Sequence, residues 1–350
     1  MHHYIPYINP YFYPVGVDFK WYSDGLIKFE SNPISIFDFL GGSRPLLILF
    51  LYGFKNLFGF GVKEAVTFFP VILNPLFVIS VFLLVWIVFD DLYLASISAF
   101  FASMSFKITV NMYSYFLANM TALILIMFGL TFMLIYYKFK FKYALISALI
   151  IYNLALLTHP WTYMQFSTSI AFTLLIHLIK FKSFKKLINE DVALILILLP
   201  SIPIAIILLP FGVSQFQFFL ETIKTMNFNS LFNFWYNSIF ISFLLYGGFQ
   251  MNIFTFFTAF LALLYPSTGF GDELLRSIVI ISSIPYLFID GSFQSRILFN
   301  LPMEIFSSVF LYRIISSESI SFKMRSLIFS LAIISQFNYL FRCLANVIWI

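Results

Sequence analysis

Four side chains in this sequence are suited to acid–base or anion-binding chemistry: Asp18, Arg44, His159 and Arg296. Asp18 stands in PVGVDFKWYSDG, ahead of any long apolar run, with Asp24 in the same segment. A carboxylate there suits a general base or a group that orients an acceptor hydroxyl. The competing reading is a solvated loop residue. His159 stands in LLTHPWTY between two apolar runs. At that level an imidazole binds a phosphate or moves a proton, or simply faces water at a helix end. Arg44 in GGSRPLL and Arg296 in DGSFQSRILFNLP have the planar fork that grips phosphate oxygens in pairs. Asp290 is the alternative partner for Arg296, as a salt bridge.

These residues matter because charge is scarce. Of 350 residues, 10% are Asp, Glu, Lys or Arg, while 61% are hydrophobic and 21% aromatic. Mean hydropathy is +0.95. A water-soluble chain cannot cover its surface with this composition, so lipid is the solvent for most of it. Backbone groups in hydrocarbon must pair internally, which leaves helices or a closed barrel. The apolar runs are continuous rather than alternating, so the fold is all-α: a polytopic integral protein of the cell membrane. The net charge of +5 is no nucleic-acid footprint, because the basic residues cluster in short loops, where they set topology. Cys343 is the only cysteine, which rules out an intrachain disulfide and a Cys-rich metal site. The 50 Phe residues fit lipid-facing filler better than an aromatic binding function.

The first part of the chain, 1–65, reads as a loop rich in Tyr, Pro, Asp and Asn, without a signal peptide. It ends in a short apolar stretch, 45–58, whose length suits an interfacial or re-entrant helix. The remainder, 66–350, is the transmembrane helical domain. Spans are expected at 66–89, 92–109, 116–137, 143–158, 161–179, 192–209, 239–265 (one tilted span, or a re-entrant turn followed by a span), 277–289, 297–315 and 327–348, about ten in all. Pro70, Pro75, Pro200 and Pro203 fall inside spans and should kink them.

Three basic clusters fix an orientation: Lys138, Lys140 and Lys142; Lys180, Lys182, Lys185 and Lys186; Arg313, Lys323 and Arg325. Counting spans puts all three on one side, cytoplasmic by the positive-inside rule. The first loop, the 107–115 turn, His159, 210–238 and 290–296 then share the outer face. Asn119, Gln165, Gln336 and Asn338 are polar residues within spans, explained by interhelical hydrogen bonds. Glu304 is a carboxylate well inside a span, expected to neutralise Arg313 or another buried cation. No nucleotide, zinc-protease or serine-hydrolase motif occurs, which argues against coupling to nucleotide hydrolysis.

The order of features resembles the GT-C superfamily of polytopic glycosyltransferases, and more closely archaeal membrane proteins in or near it. The stretches that carry the likeness are Gly16-Val17-Asp18, Ser43-Arg44-Pro45-Leu46, Ala118-Asn119, Thr158-His159-Pro160-Trp161-Thr162 and Gln294-Ser295-Arg296 with Asn300-Leu301-Pro302 after it. The resemblance implies transfer of a sugar from a polyprenyl-phosphate-linked donor to an acceptor on the outer face. It implies Asp18 as the base or acceptor-orienting group, and Arg44, His159 and Arg296 as holders of the donor phosphate. Membrane lipid and the lipid-linked sugar are the expected partners, the acceptor is open, and neither nucleic acid nor cofactor is implied.

Two departures from the pattern stand out. The first loop of the family normally follows a spanning helix, whereas this chain starts within the loop, as in a late start or a shortened relative. The 107–115 turn carries no carboxylate, where some branches place metal-binding acids, so no metal site is expected. The alternative to a transferase is a non-enzymatic transporter or flippase-like carrier, or a structural envelope protein. Such a carrier needs ionisable residues along a path through the membrane, for which Glu304 and Lys107 are the candidates.

Overall fold

The computed structural model describes residues 18–37, 44–204, 252–286 and 291–344. The expected outer segment 210–238, the part 239–251 of the span at 239–265, and Asp290 lie outside the described residues. Helix α1 (Phe19–Ser31) is followed by a 3-10 turn (Pro33–Phe37), α2 (Pro45–Phe58), α3 (Val62–Phe89), α4 (Leu92–Ser103), α5 (Phe106–Ser114), α6 (Leu117–Phe139), α7 (Lys142–Thr158), α8 (Pro160–Phe181) and α9 (Phe184–Leu198). After the undescribed stretch come α10 (Ile253–Leu263), α11 (Phe270–Tyr286), α12 (Gly291–Asn300), α13 (Met303–Ser316) and α14 (Phe322–Leu344). Among the described residues there is no strand.

Among the described residues, five stretches are long and apolar enough to cross a membrane: Val62–Phe89, Leu92–Met112, Leu117–Phe139, Pro160–Phe181 and Phe322–Phe341. Shorter apolar helices, including Pro45–Phe58, Lys142–Thr158 and Phe254–Leu263, pack among them. Helix α6 is the hub. It is buried along most of its length and packs against α3, α7 and α8, whereas α14 leaves most of its apolar surface to lipid.

Two expected spans prove to be broken, for reasons hydropathy does not register. The run at 92–109 splits at Met104, because the Ser105 hydroxyl accepts from the Lys107 backbone N–H (3.2 Å) and starts α5 afresh. The region expected as a 107–115 turn is therefore helical. The run at 297–315 splits into α12 and α13 at Leu301-Pro302, where proline offers no N–H to continue the ladder. Helix α1 was not expected at all. It is amphipathic, burying Tyr22, Ser23, Gly25 and Leu26 against α2 and α3. In α9 the helix bends at Asp191, whose carboxylate lies 2.8 Å from His177 Nδ1 on α8.

The basic loops turn tightly. Asp90, Lys140 and Lys182 each end a helix in the left-handed region (φ 57°, 54° and 52°). Lys138 reaches Asp90 at 2.8 Å, so the α3–α4 and α6–α7 turns sit side by side. The starts of α6 and α8 are consequently at the opposite end of the bundle from these lysines.

Helices α6 and α7 form the closest contact, made possible by Gly129. A Cβ there would lie 2.8 Å from Tyr152 Cβ and 3.0 Å from its Cα, and backbone cannot retreat as a side-chain tip can. We expect Gly129→Leu to lower stability by at least ~1–3 kcal/mol, read as a drop in thermal midpoint of the purified protein in detergent. A melting curve unchanged from wild type would show that the contact is looser than this geometry requires.

Candidate functional site

At the end of the bundle away from the basic turns, Asp18, Tyr22, Arg44, Phe116, Asn119, His159 and Arg296 line one cavity of about 220 Å³, counting the part open to solvent. The four residues singled out from the sequence thus meet around a single space, although they come from four separate parts of the chain.

Helix starts bring them there. Asp18 precedes α1, and its carbonyl accepts from the Tyr22 N–H (3.2 Å). Arg44 precedes α2, which Pro45 opens with its φ already set for a helix. His159 precedes α8, opened likewise by Pro160. Phe116 precedes α6, and Asn119 is in its first turn. The N-terminal ends of four helices therefore surround the cavity. At α1, α2 and α6 the side chain of the residue before the helix does not cap it, and the positive dipole ends of these helices add to the charge of the two arginines.

His159 is buried (2% exposed). Its Nδ1 accepts from the Thr162 backbone N–H at 3.2 Å and lies 2.7 Å from the Thr162 hydroxyl. An Nδ1 that accepts leaves the ring proton on Nε2, making the neutral imidazole a hydrogen-bond donor there. Burial above all, with the charges of Arg44 and Arg296, holds the imidazole pKa well below its ordinary value. The tautomer and the electrostatics agree: the ring is neutral.

Asp18 is under opposing influences. Burial pushes its pKa above the ordinary carboxylate value, while the Arg44 and Arg296 charges pull it back. Arg296 is pulled below its usual value by burial and by Arg44, with Asp18 and Tyr22 acting the other way. Arg44 Nη1 donates to the Tyr22 hydroxyl at 2.9 Å.

Beneath the cavity a neutral network ties three helices together. Asn119 Nδ2 donates to Asn300 Oδ1 (3.2 Å), and Asn300 Nδ2 donates to Gln165 Oε1 (2.8 Å) and Thr162 Oγ1 (3.3 Å). The Thr162 hydroxyl bonds Asn119 Oδ1, and Gln165 Nε2 donates to the Ile297 carbonyl (3.3 Å). The interhelical role expected of Asn119 and Gln165 is therefore seen, and Asn119 also faces the cavity. Gln336 plays the interhelical part elsewhere, donating to Thr255 Oγ1 at 2.8 Å, whereas Asn338 is exposed.

Other candidates fall away. Asp24 is exposed and is not among the cavity residues. Glu304 pairs with Lys107, at 2.6 Å, and not with Arg313, which lies over the Tyr265 ring at 4.7 Å. Among the described residues no group of three or more His, Cys, Asp or Glu is arranged to hold a metal ion. Sequence reasoning missed Tyr22 and Phe116. Tyr22 had a usable signal: it stands one helical turn after Asp18, so both share a face once α1 is a helix. Phe116 had none, being one Phe among many.

No protein-family model and no curated protein matches this chain. Among solved structures, the crystal structure of ArnT from Cupriavidus metallidurans in the apo state is similar, with a TM-score of 0.57 and 14% sequence identity. The likeness covers 85% of this chain and 56% of ArnT, so the chain spans little more than half the length of the protein it resembles. At that identity the likeness is one of fold. The chain has an ArnT-like, all-α polytopic membrane fold.

Proposed function

We propose that this protein is a membrane glycosyltransferase of the GT-C type, moving a sugar from a polyprenyl-phosphate-linked donor to an acceptor on the outer face. One observation carries the reading. Among the described residues one carboxylate, Asp18, shares a cavity with two guanidinium groups, a neutral imidazole and the starts of four helices. Such a site suits an anion, because cationic side chains and the positive ends of helix dipoles converge on it. The carboxylate beside it supplies what the anion does not need: a base for an incoming hydroxyl.

In this reading Arg44, Arg296 and the His159 Nε2–H hold the donor phosphate, which leaves still attached to its lipid. Asp18 takes the proton of the acceptor as its oxygen attacks the anomeric carbon. The bond from that carbon to the phosphate oxygen breaks, and the arginines hold the charge gained by the departing phosphate. The transporter alternative loses its principal residues, since Glu304 and Lys107 are bound to each other.

The direct test is binding and turnover of polyprenyl-phosphate sugars by the full-length protein in lipid nanodiscs. Absence of both, with a panel of sugars, would sink the reading. We expect Asp18→Asn to cut turnover by roughly 10²-fold or more while polyprenyl phosphate still binds. Arg44→Met and Arg296→Met should show the opposite emphasis, each weakening lipid-phosphate binding by about tenfold or more, the value of a charge-assisted hydrogen bond.

The pH dependence has a definite sign. A base works ionised, so activity falls as pH drops through the Asp18 pKa. Burial raises that pKa, so the acidic limb of kcat/KM should lie above the ordinary carboxylate range. Arg44 favours the ionised form, and Arg44→Met should move the limb to still higher pH. A pH–rate profile that shifts the other way would remove Asp18 from the role of base.

A further inference from the structure

Helix α12 carries Arg296 and, one turn later, Asn300. It ends at Leu301-Pro302, and α13 starts immediately after. Two helices set end to end bring the bare carbonyls of one to the bare N–H groups of the next, with proline removing one donor. In lipid this junction needs an outside partner.

Lys107, from α5, supplies it. Its ammonium donates to the Leu301 carbonyl at 2.8 Å and to Glu304 Oε1 and Oε2 at 2.8 and 2.6 Å. All three of its protons have acceptors. The cation lies at the carbonyl end of α12, and the carboxylate lies in the first turn of α13, so each charge opposes the dipole end it faces. Both side chains are buried, at 0% and 2% exposure. An ion pair so deep is weak evidence of added stability, since well-packed apolar residues do as well. What it can fix is the relative placement of the elements it joins.

The two helices are not equally anchored. Helix α13 packs closely along α10 and α4. Helix α12 packs more lightly, on α8, α6 and α11, and is tied near its end by the Asn300 network. We infer that Lys107 and Glu304 form a positioning pair for the cavity, locking the α12–α13 junction and so holding Arg296 opposite Asp18. This deepens the proposed function, because it rests on the cavity being the site of reaction. Its clearest readout, however, needs no donor.

That readout is the titration of Asp18. Arg296 favours its ionised form, so an Arg296 moved away raises the Asp18 midpoint. The experiment follows the Asp18 carboxyl by infrared difference spectroscopy of the full chain in nanodiscs, with Asp18→Asn identifying the band. Lys107→Met combined with Glu304→Met removes both charges and leaves neither stranded. We expect this double variant and Arg296→Met each to raise the midpoint. Combining all three changes should shift it no further than Arg296→Met alone, because one contact is being lost by two routes. Polyprenyl phosphate binding should weaken on the order of tenfold, as for loss of one charge-assisted hydrogen bond.

A wild-type midpoint in the double variant, or a shift that adds in full to that of Arg296→Met, overturns the inference. Should the double variant fail to fold, Lys107→Arg gives the same readout. It keeps the charge but presents a planar fork in place of a single nitrogen, and the midpoint should again rise. If Asp18 shifts as described while the wild-type protein binds no polyprenyl phosphate, the proposed function fails and the positioning role stands.

Discussion

Hydrocarbon offers a helix nothing for the N–H groups of its first turn, and this molecule is organised around that constraint. At several helix starts a short polar side chain closes the first turn. Asp91 accepts from the Leu94 N–H, Ser105 from the Lys107 N–H and Asn252 from the Phe254 N–H. The starts of α1, α2 and α6 have no such side chain, and all three open on the cavity. A helix start without such a side chain is tolerable where water or a ligand can reach it. The same fact that makes these ends costly in lipid makes them useful at the cavity.

The polar residues within the bundle follow from this arrangement. Asn119, Thr162, Gln165 and Asn300 are neutral, so burying them together carries no charge penalty, and their amides satisfy one another across α6, α8 and α12. At Lys107 a charge deep in the bundle is compensated at every proton, finding two carboxylate oxygens and a carbonyl. The arginines of the cavity are placed differently. Arg44 donates to the Tyr22 hydroxyl and faces an open space, an arrangement that leaves donors for a visitor.

How legible this was in the sequence depends on what each feature does to composition. Long apolar runs announced α3, α6, α8 and α14 because lipid-facing surface demands them. Scarcity of charge marked Asp18, Arg44, His159 and Arg296, since in lipid a charge is too expensive to be idle. Hydropathy could not show the breaks at Met104 and Leu301-Pro302, because a broken span and a whole one have the same average. It also hid α1, in which Lys20, Asp24 and Lys28 on the exposed face dilute Tyr22 and Leu26 on the buried one. The pairing of Glu304 with Lys107 was beyond reach as well. Nearly 200 residues separate them (|i−j| = 197), and only the packing of α5 against the α12–α13 junction brings them together.

The charge balance of the cavity links binding to chemistry. Arg44 and Arg296 are the groups that hold Asp18 toward its ionised form against the effect of burial. On the proposed reading, a donor phosphate arriving between the arginines offsets much of their positive charge. The carboxylate then loses the cations that kept its pKa down, and its affinity for a proton rises. Asp18 thus becomes a stronger base when the donor is seated, at the moment an acceptor hydroxyl must be deprotonated. His159 cannot take that role. Buried, facing two guanidinium groups and with Nδ1 already accepting from the start of α8, its ring is held neutral with its proton on Nε2. On the proposed reading it donates to phosphate and leaves proton transfer to the carboxylate. Two groups able to exchange protons are therefore kept to separate tasks by the charges around them and by the helix end that one of them closes.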